Sequence, residues 1–298
     1  MIKLTRPLRF IFIVYLFSVS YLGFGKLIPA ENSLLNYTSV YFEENFIKEA
    51  TEYRLVLYSD SLFTHTVIQK NAKLPAFWVD NLNWGNSYYW KLLAFSTSGT
   101  QINESAVHKF GIMKLAYQGF DEIKVDVKTN KEAKHSGGIM SLDYSKSIID
   151  RKGKQVWAIP SLPGVPADKM YIRDMRITQD NTITFLTFEV PYELDVDGKV
   201  VWKAPYPFIL NKDTIHYHHD FKKTSRGTYM VLGDKFVYRS LLGNYSELEI
   251  KNSSGIKKIN DTLYKRINIT TLLEFNKSGE LIWYWDANSY LEIGRAHV

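Results

Sequence analysis

Apolar and polar positions alternate in short runs along residues 30–112. Arg54-Leu-Val-Leu-Tyr58 is one such run, and Tyr88-Tyr-Trp-Lys-Leu-Leu-Ala-Phe95 is the clearest. Alternation places Tyr88, Trp90, Leu92 and Ala94 on one face of a strand, and Tyr89, Lys91, Leu93 and Phe95 on the other. A turn at Gly85 precedes this strand and Ser98-Gly99 follows it. Val107-His-Lys-Phe-Gly-Ile112 closes the segment as a final strand. Beyond residue 120, apolar runs return between polar turns that contain glycine. The pattern predicts an all-β chain.

The second region repeats itself. Ile149-Asp-Arg-Lys-Gly-Lys-Gln-Val-Trp157 recurs 45 residues later as Leu194-Asp-Val-Asp-Gly-Lys-Val-Val-Trp202, and after a further 81 as Phe275-Asn-Lys-Ser-Gly-Glu-Leu-Ile-Trp283. Each copy is a tight hairpin turn: an Asp or Asn able to cap its own backbone, then a glycine free to take positive φ, between apolar strands. A gap-free alignment also lays Asp174–Leu186 over Asp220–Leu232 at a spacing of 46. Repeats of this length, with about four short strands each, suit the blades of a β-propeller. Residues 120–291 therefore read as a partial β-propeller of about three blades. Residues 236–268, rich in Asn, Ser and Lys, read as a surface excursion that widens the last gap. Residues 27–113 read as a separate domain. Their Tyr-Trp strand between glycine turns is similar to the second half of an immunoglobulin-like or fibronectin type III sandwich, a fold used more often for docking than for chemistry.

Composition narrows the chemistry. Aromatic residues make up 15% of the 298, in keeping with strands. The absence of cysteine excludes thiolate nucleophiles, Cys-ligated zinc and iron–sulfur clusters. The formal charge is +6, but Lys3, Arg6 and Arg9 supply half of it, and the remainder is too small to argue for nucleic acid. Those three cations precede the apolar run Phe10–Phe17, and Ser18-Val-Ser20 offers small residues where a signal peptidase cuts. Residues 1–20 thus read as a secretory signal peptide and the chain as periplasmic or secreted, with an uncleaved anchor as the alternative.

Three of the seven histidines cluster in Ile215-His-Tyr-His-His-Asp-Phe221. Alternation puts His216, His218 and Asp220 on one face and Tyr217 with His219 on the other, unless a bulge at His218-His219 turns both. The repeat alignment sets His219-Asp220 over Arg173-Asp174. Histidines that merely bond loop backbone are one reading. A metal site is another, but strand neighbours on opposite faces cannot chelate one ion, and no metal is expected.

A secretion signal, a sandwich-like first domain, Asp-x-x-Gly-Lys-x-Val-Trp turns and His218-His219-Asp220-Phe221 followed by Arg226-Gly-Thr-Tyr229 resemble the bacterial arylsulfate sulfotransferase family. The resemblance spans roughly residues 30–291. It implies a six-bladed propeller that moves a sulfuryl group from a phenolic sulfate ester to a phenol through a sulfohistidine. No cofactor is implied, and the expected partners are a small phenolic sulfate donor and a phenol acceptor. It further implies that His219, or His218 beside it, binds sulfuryl oxygens or protonates the departing oxygen. His216, Arg173 and Asp220 are then candidates for substrate binding, while the family's nucleophilic histidine lies in a later blade. Glu292–Val298 matches the translation of a common sequencing adapter and reads as a non-native tail, so a truncated, inactive fragment is expected. Two other readings stand beside this one. The first is a non-catalytic secreted propeller that binds a ligand or partner. The second, a quinone-dependent dehydrogenase, lacks the calcium-binding carboxylates it needs.

Overall fold

The computed structural model describes residues 27–115, 125, 138–166, 170–241 and 255–287. The expected signal peptide at 1–20 and tail at 292–298 lie outside them. The chain divides into two compact units, Met1–Asp168 and Lys169–Val298. The regular elements of the described residues are twenty-one β-strands, so the chain is all-β as the alternation predicts.

The first unit begins with β1 (Ser33–Leu35), β2 (Val40–Glu43), β3 (Glu52–Tyr58), β4 (Thr66–Ala72), β5 (Ala76–Val79), β6 (Ser87–Phe95), β7 (Gln101–Glu104) and β8 (His108–Ile112). β1, β8, β6, β3 and β4 make one sheet in that order with β7 added to β6, while β2 and β5 pair as a second. Tyr88, Trp90, Leu92 and Ala94 of β6 are buried, the face that alternation grouped together. They meet Phe42 of β2, whose ring lies edge-on at 5.2 Å from Trp90 and 5.6 Å from Phe110 of β8. Burying a phenylalanine this completely stabilises by about 2 kcal/mol.

The same unit holds the first hairpin repeat, an antiparallel meander of β9 (Ile139–Leu142), β10 (Ser147–Asp150) and β11 (Gln155–Ala158). Residues Asn36–Thr38 take up the outer edge of β11. Thr38 N donates to Val156 O at 3.0 Å and Ala158 N to Asn36 O at 2.9 Å. The Asn36 side-chain amide also donates to Ala158 O at 3.0 Å. An edge that would otherwise present bare N–H and C=O groups is thereby closed.

The second unit opens with the antiparallel meander β12 (Arg173–Ile177), β13 (Ile183–Leu186), β14 (Pro191–Leu194) and β15 (Val200–Lys203). A larger sheet follows from β16 (Phe208–Leu210), β17 (Asp213–Lys223), β18 (Tyr229–Ser240), β19 (Ile256–Ile259), β20 (Thr262–Phe275) and β21 (Leu281–Asp286). Its order is β16-β17-β18-β20, with β19 and β21 sharing the far side of β20. Of the segment expected as a polar excursion at 236–268, residues 242–254 lie outside the described ones, and the rest continues both flanking strands, for β18 and β20 pair without interruption from Tyr229↔Phe275 to Ser240↔Tyr264. Polar residues face water on this ribbon, which removes the apolar alternation that marks a half-buried strand.

The three predicted turns have one geometry. Asp150 N, Asp195 N and Asn276 N each donate across the turn at 2.9 Å, and Gly153 N, Gly198 N and Gly279 N donate back at 3.0 Å. The glycines have φ of 80°, 78° and 82°. Oδ1 of each Asp or Asn accepts backbone N–H groups ahead of it, which is why these residue types recur there.

Within the second unit the two sheets pack through the repeat residues. Trp202, 4% exposed, stacks on Tyr229 at 3.8 Å and on Phe221 at 5.7 Å. Glu193 is wholly buried and accepts from the Tyr229 hydroxyl at 2.5 Å, from Lys223 Nζ at 2.8 Å and from the Thr182 hydroxyl. Burial raises the Tyr229 phenol above its ordinary range, and Glu193 raises it further. Burial works against the Lys223 charge, but the bonds to Asp180 and Glu193 outweigh it and raise the ammonium's pKa.

Candidate functional site

The histidine segment belongs to β17. Ile215, Tyr217 and Phe221 are buried, and the Tyr217 hydroxyl donates to Pro205 O at 2.7 Å. Gly233 of β18 lies opposite Tyr217, and a Cβ there would sit 2.4 Å from Ile215 Cγ2. The missing side chain is what lets Ile215 pack under β18.

Between Tyr217 and Phe221 the ladder breaks: Tyr217 pairs with Gly233 and Phe221 with Val231, so β17 uses four residues where β18 uses two. His219 takes φ of 46° at this bulge. A left-handed backbone at a residue with a Cβ costs about 1–2 kcal/mol, which the flanking pairs must hold in place. Strict alternation fails here in the way the bulge exception allows. His219 leaves the buried Tyr217 face and is exposed, its ring 5.4 Å from that of His218 at 82°.

His218 lies against Asp234 of β18. Asp234 Oδ1 is 2.9 Å from His218 Nε2, at ion-pair distance but off the line of the N–H, so neither buried ring nitrogen of His218 has an aligned hydrogen bond. The Thr270 hydroxyl donates to the same carboxylate oxygen at 3.0 Å. His216 pairs with Asp234 in register, and its ring stands 5.3 Å from Phe236. Asp220 does not join the histidines; it binds Arg176 Nη2 at 2.8 Å, with both side chains well exposed. Arg173 lies over the Tyr171 ring at 5.1 Å, and its backbone pairs with Leu186. The structure therefore brings His218 onto the Asp234 carboxylate with His219 adjoining and His216 opposite Asp234 in the ladder, and gives Arg173 and Asp220 contacts of their own.

Sequence reasoning missed Asp234 and Thr270. The available signal was an aspartate inside the strand run Tyr229–Val237, where β-structure seldom carries one. A carboxylate beside one imidazole and a second imidazole next to it form a group that can take up or release a proton, and imidazolium N–H can bind an oxyanion. Among the described residues, no group of three or more His, Cys, Asp or Glu is arranged to hold a metal ion.

No protein-family model matches the chain, and no curated protein matches it. Among solved structures, the alpha-L-rhamnosidase from Dictyoglumus thermophilum is similar over 86% of this chain, at 8% identity and a TM-score of 0.23. The match spans 27% of the rhamnosidase's length. A likeness at that score carries no argument about fold or chemistry.

Proposed function

We propose that the protein is an extracytoplasmic sulfotransferase-like protein that moves a sulfuryl group from a phenolic sulfate ester to a phenol. In this reading residues 27–113 are an immunoglobulin-like or fibronectin type III sandwich, and the hairpin-repeat sheets are successive blades of a propeller. The observation that carries the reading is the bulge: it sets the exposed His219 beside His218, whose Nε2 lies 2.9 Å from Asp234 Oδ1.

Chemically, a neutral histidine nitrogen attacks sulfur and the S–O(aryl) bond breaks, its electron pair leaving on the phenolate oxygen. His219, exposed at the bulge, protonates that oxygen or binds the sulfuryl oxygens, and His218 supports it from the Asp234 side. The acceptor phenol then gives its proton to His219 as its oxygen attacks sulfur, and the S–N bond breaks with its electron pair returning to the nitrogen, which regenerates the imidazole. The attacking histidine is not assigned to this cluster. A second reading, a secreted propeller that binds without turnover, draws support from the Arg176–Asp220 pair, in which a cation and an anion near the cluster neutralise each other.

The test is phenol-dependent release of 4-nitrophenol from 4-nitrophenyl sulfate by the protein translated from the complete reading frame. His219→Ala should lower turnover by about two to four orders of magnitude, the range for losing an acid–base or electrostatic helper. An unchanged rate, or a loss matched by unfolding, rejects the proposal.

A further inference from the structure

The outer halves of β18 and β20, together with β19, carry a separate pattern. Pairing sets Phe236 opposite Asn268, Tyr238 opposite Arg266, and Ser240 opposite Tyr264, which in turn faces Lys257. Residues of one parity share a face, so Phe236, Tyr238, Tyr264, Arg266 and Lys257 line one side of the ribbon, continuous with the Asp234–His216 row. Arg266 Cζ lies 4.5 Å from the Phe236 ring centre and Lys257 Nζ 3.3 Å from that of Tyr238. Phe236 is 36% exposed and Tyr238 44%, and both cations are exposed. From the Asp234 row to the Ser240 row the face runs about 20 Å, six residues of strand.

A cation resting on an aromatic ring is held in position without losing its charge, whereas a carboxylate partner would neutralise it. The Asp234 carboxylate at the inner end of this face is engaged by His218 and Thr270, and the outer stretches 235–241 and 255–270 contain one carboxylate, Asp261, which Lys258 on the opposite face engages at 2.9 Å. Lys257 and Arg266 are thus ordered positive charges left available to a ligand. Interleaved rings and cations on a flat sheet suit a chain whose units present apolar C–H faces and carry anions at the periphery. Double-stranded nucleic acid would demand many more cations than this face offers.

We propose that this face binds an acidic polysaccharide, Lys257 and Arg266, seated on the Tyr238 and Phe236 rings, contacting its sulfate or carboxylate groups while the exposed edges of those rings meet its sugar C–H groups. The site is distinct from the sulfuryl-transfer reading and stands without it. The probe is heparin, with affinity of the full chain measured at fixed salt. The pair Lys257→Ala and Arg266→Ala is compared with Lys258→Ala and Lys265→Ala, which remove the same charge from the other face. The first pair should weaken binding by roughly tenfold or more and the second by less than about threefold, since distant exposed charges contribute little through screened solution. Equal losses from the two pairs, or no binding, overturn the proposal. Equally tight binding of polyglutamate or of a DNA duplex through Lys257 and Arg266 overturns the choice of polysaccharide.

Discussion

Replacing Trp202 and Trp283 separately by alanine compares the same repeat position in two environments. Trp202 is 4% exposed, stacks on Tyr229 at 3.8 Å and donates its indole N–H to Asn276 O at 3.2 Å. Trp283 is 46% exposed. Truncating a buried tryptophan costs about 3–5 kcal/mol, and the Asn276 carbonyl left behind keeps the figure at the upper end. Trp202→Ala should therefore cost about 4–5 kcal/mol, a large share of the 5–15 kcal/mol typical of a whole domain, roughly. Trp283→Ala should stay within about 1 kcal/mol, as for exposed substitutions. In urea denaturation followed by circular dichroism, a slope of about 2 kcal/mol/M turns the first loss into a midpoint shift of about 2 M. Equal shifts for the two variants, or a Trp202→Ala loss below about 2 kcal/mol, would refute the packing of β15 on the larger sheet.

Gly233→Ala places a Cβ 2.4 Å from Ile215 Cγ2 and should cost about 1–3 kcal/mol by overpacking. Combined with Ile215→Ala the loss should be smaller than the sum, and strict additivity in the double-mutant cycle would count against the contact. A second expectation concerns alkaline pH. Burial raises the Tyr217 phenol, and burial with Glu193 raises Tyr229, both above the ordinary value of 10.0. The folded state then holds protons that the unfolded state has released, so the stabilisation is complete below pH 10.0 and is lost as pH climbs above it. Tyrosinate absorbance should rise together with loss of the β-sheet signal, and a smooth titration of all tyrosines with the fold intact would reject this.

The turns at Asp150, Asp195 and Asn276 were legible because their two requirements, a capping side chain and a residue tolerant of positive φ, are written as residue types. The β6 faces were legible because one side is core and the other is not. The bulge in β17 was legible only as an alternative at His218-His219, since φ of 46° at His219 falls on a residue type that usually takes extended backbone in a strand. Glu193 and its ring of donors were hidden for a related reason: a glutamate in Tyr192-Glu-Leu194 reads as a solvent-facing strand position, and only the partners brought by the next sheet make it a buried one. The strand parts of 236–241 and 255–268 were missed because a ribbon exposed on both faces has no periodic apolar signature to find.

The strand closure by Asn36–Thr38 sets an order on folding. Its side-chain bond from Asn36 to Ala158 spans 122 residues, and closing a loop of that length costs on the order of 4 kcal/mol in chain entropy before any contact returns it. The sheets of residues 33–112 close a shorter loop, from Ser33 to Phe110, and can form as soon as β8 has been synthesised. β11 cannot dock until residue 158 has emerged, so during that interval Asn36–Thr38 is an open edge, available to any other strand that reaches it. The seam between the sheets of residues 33–112 and the first repeat is thus the late step of the first unit, and the point at which a slowed or interrupted synthesis would mispair it.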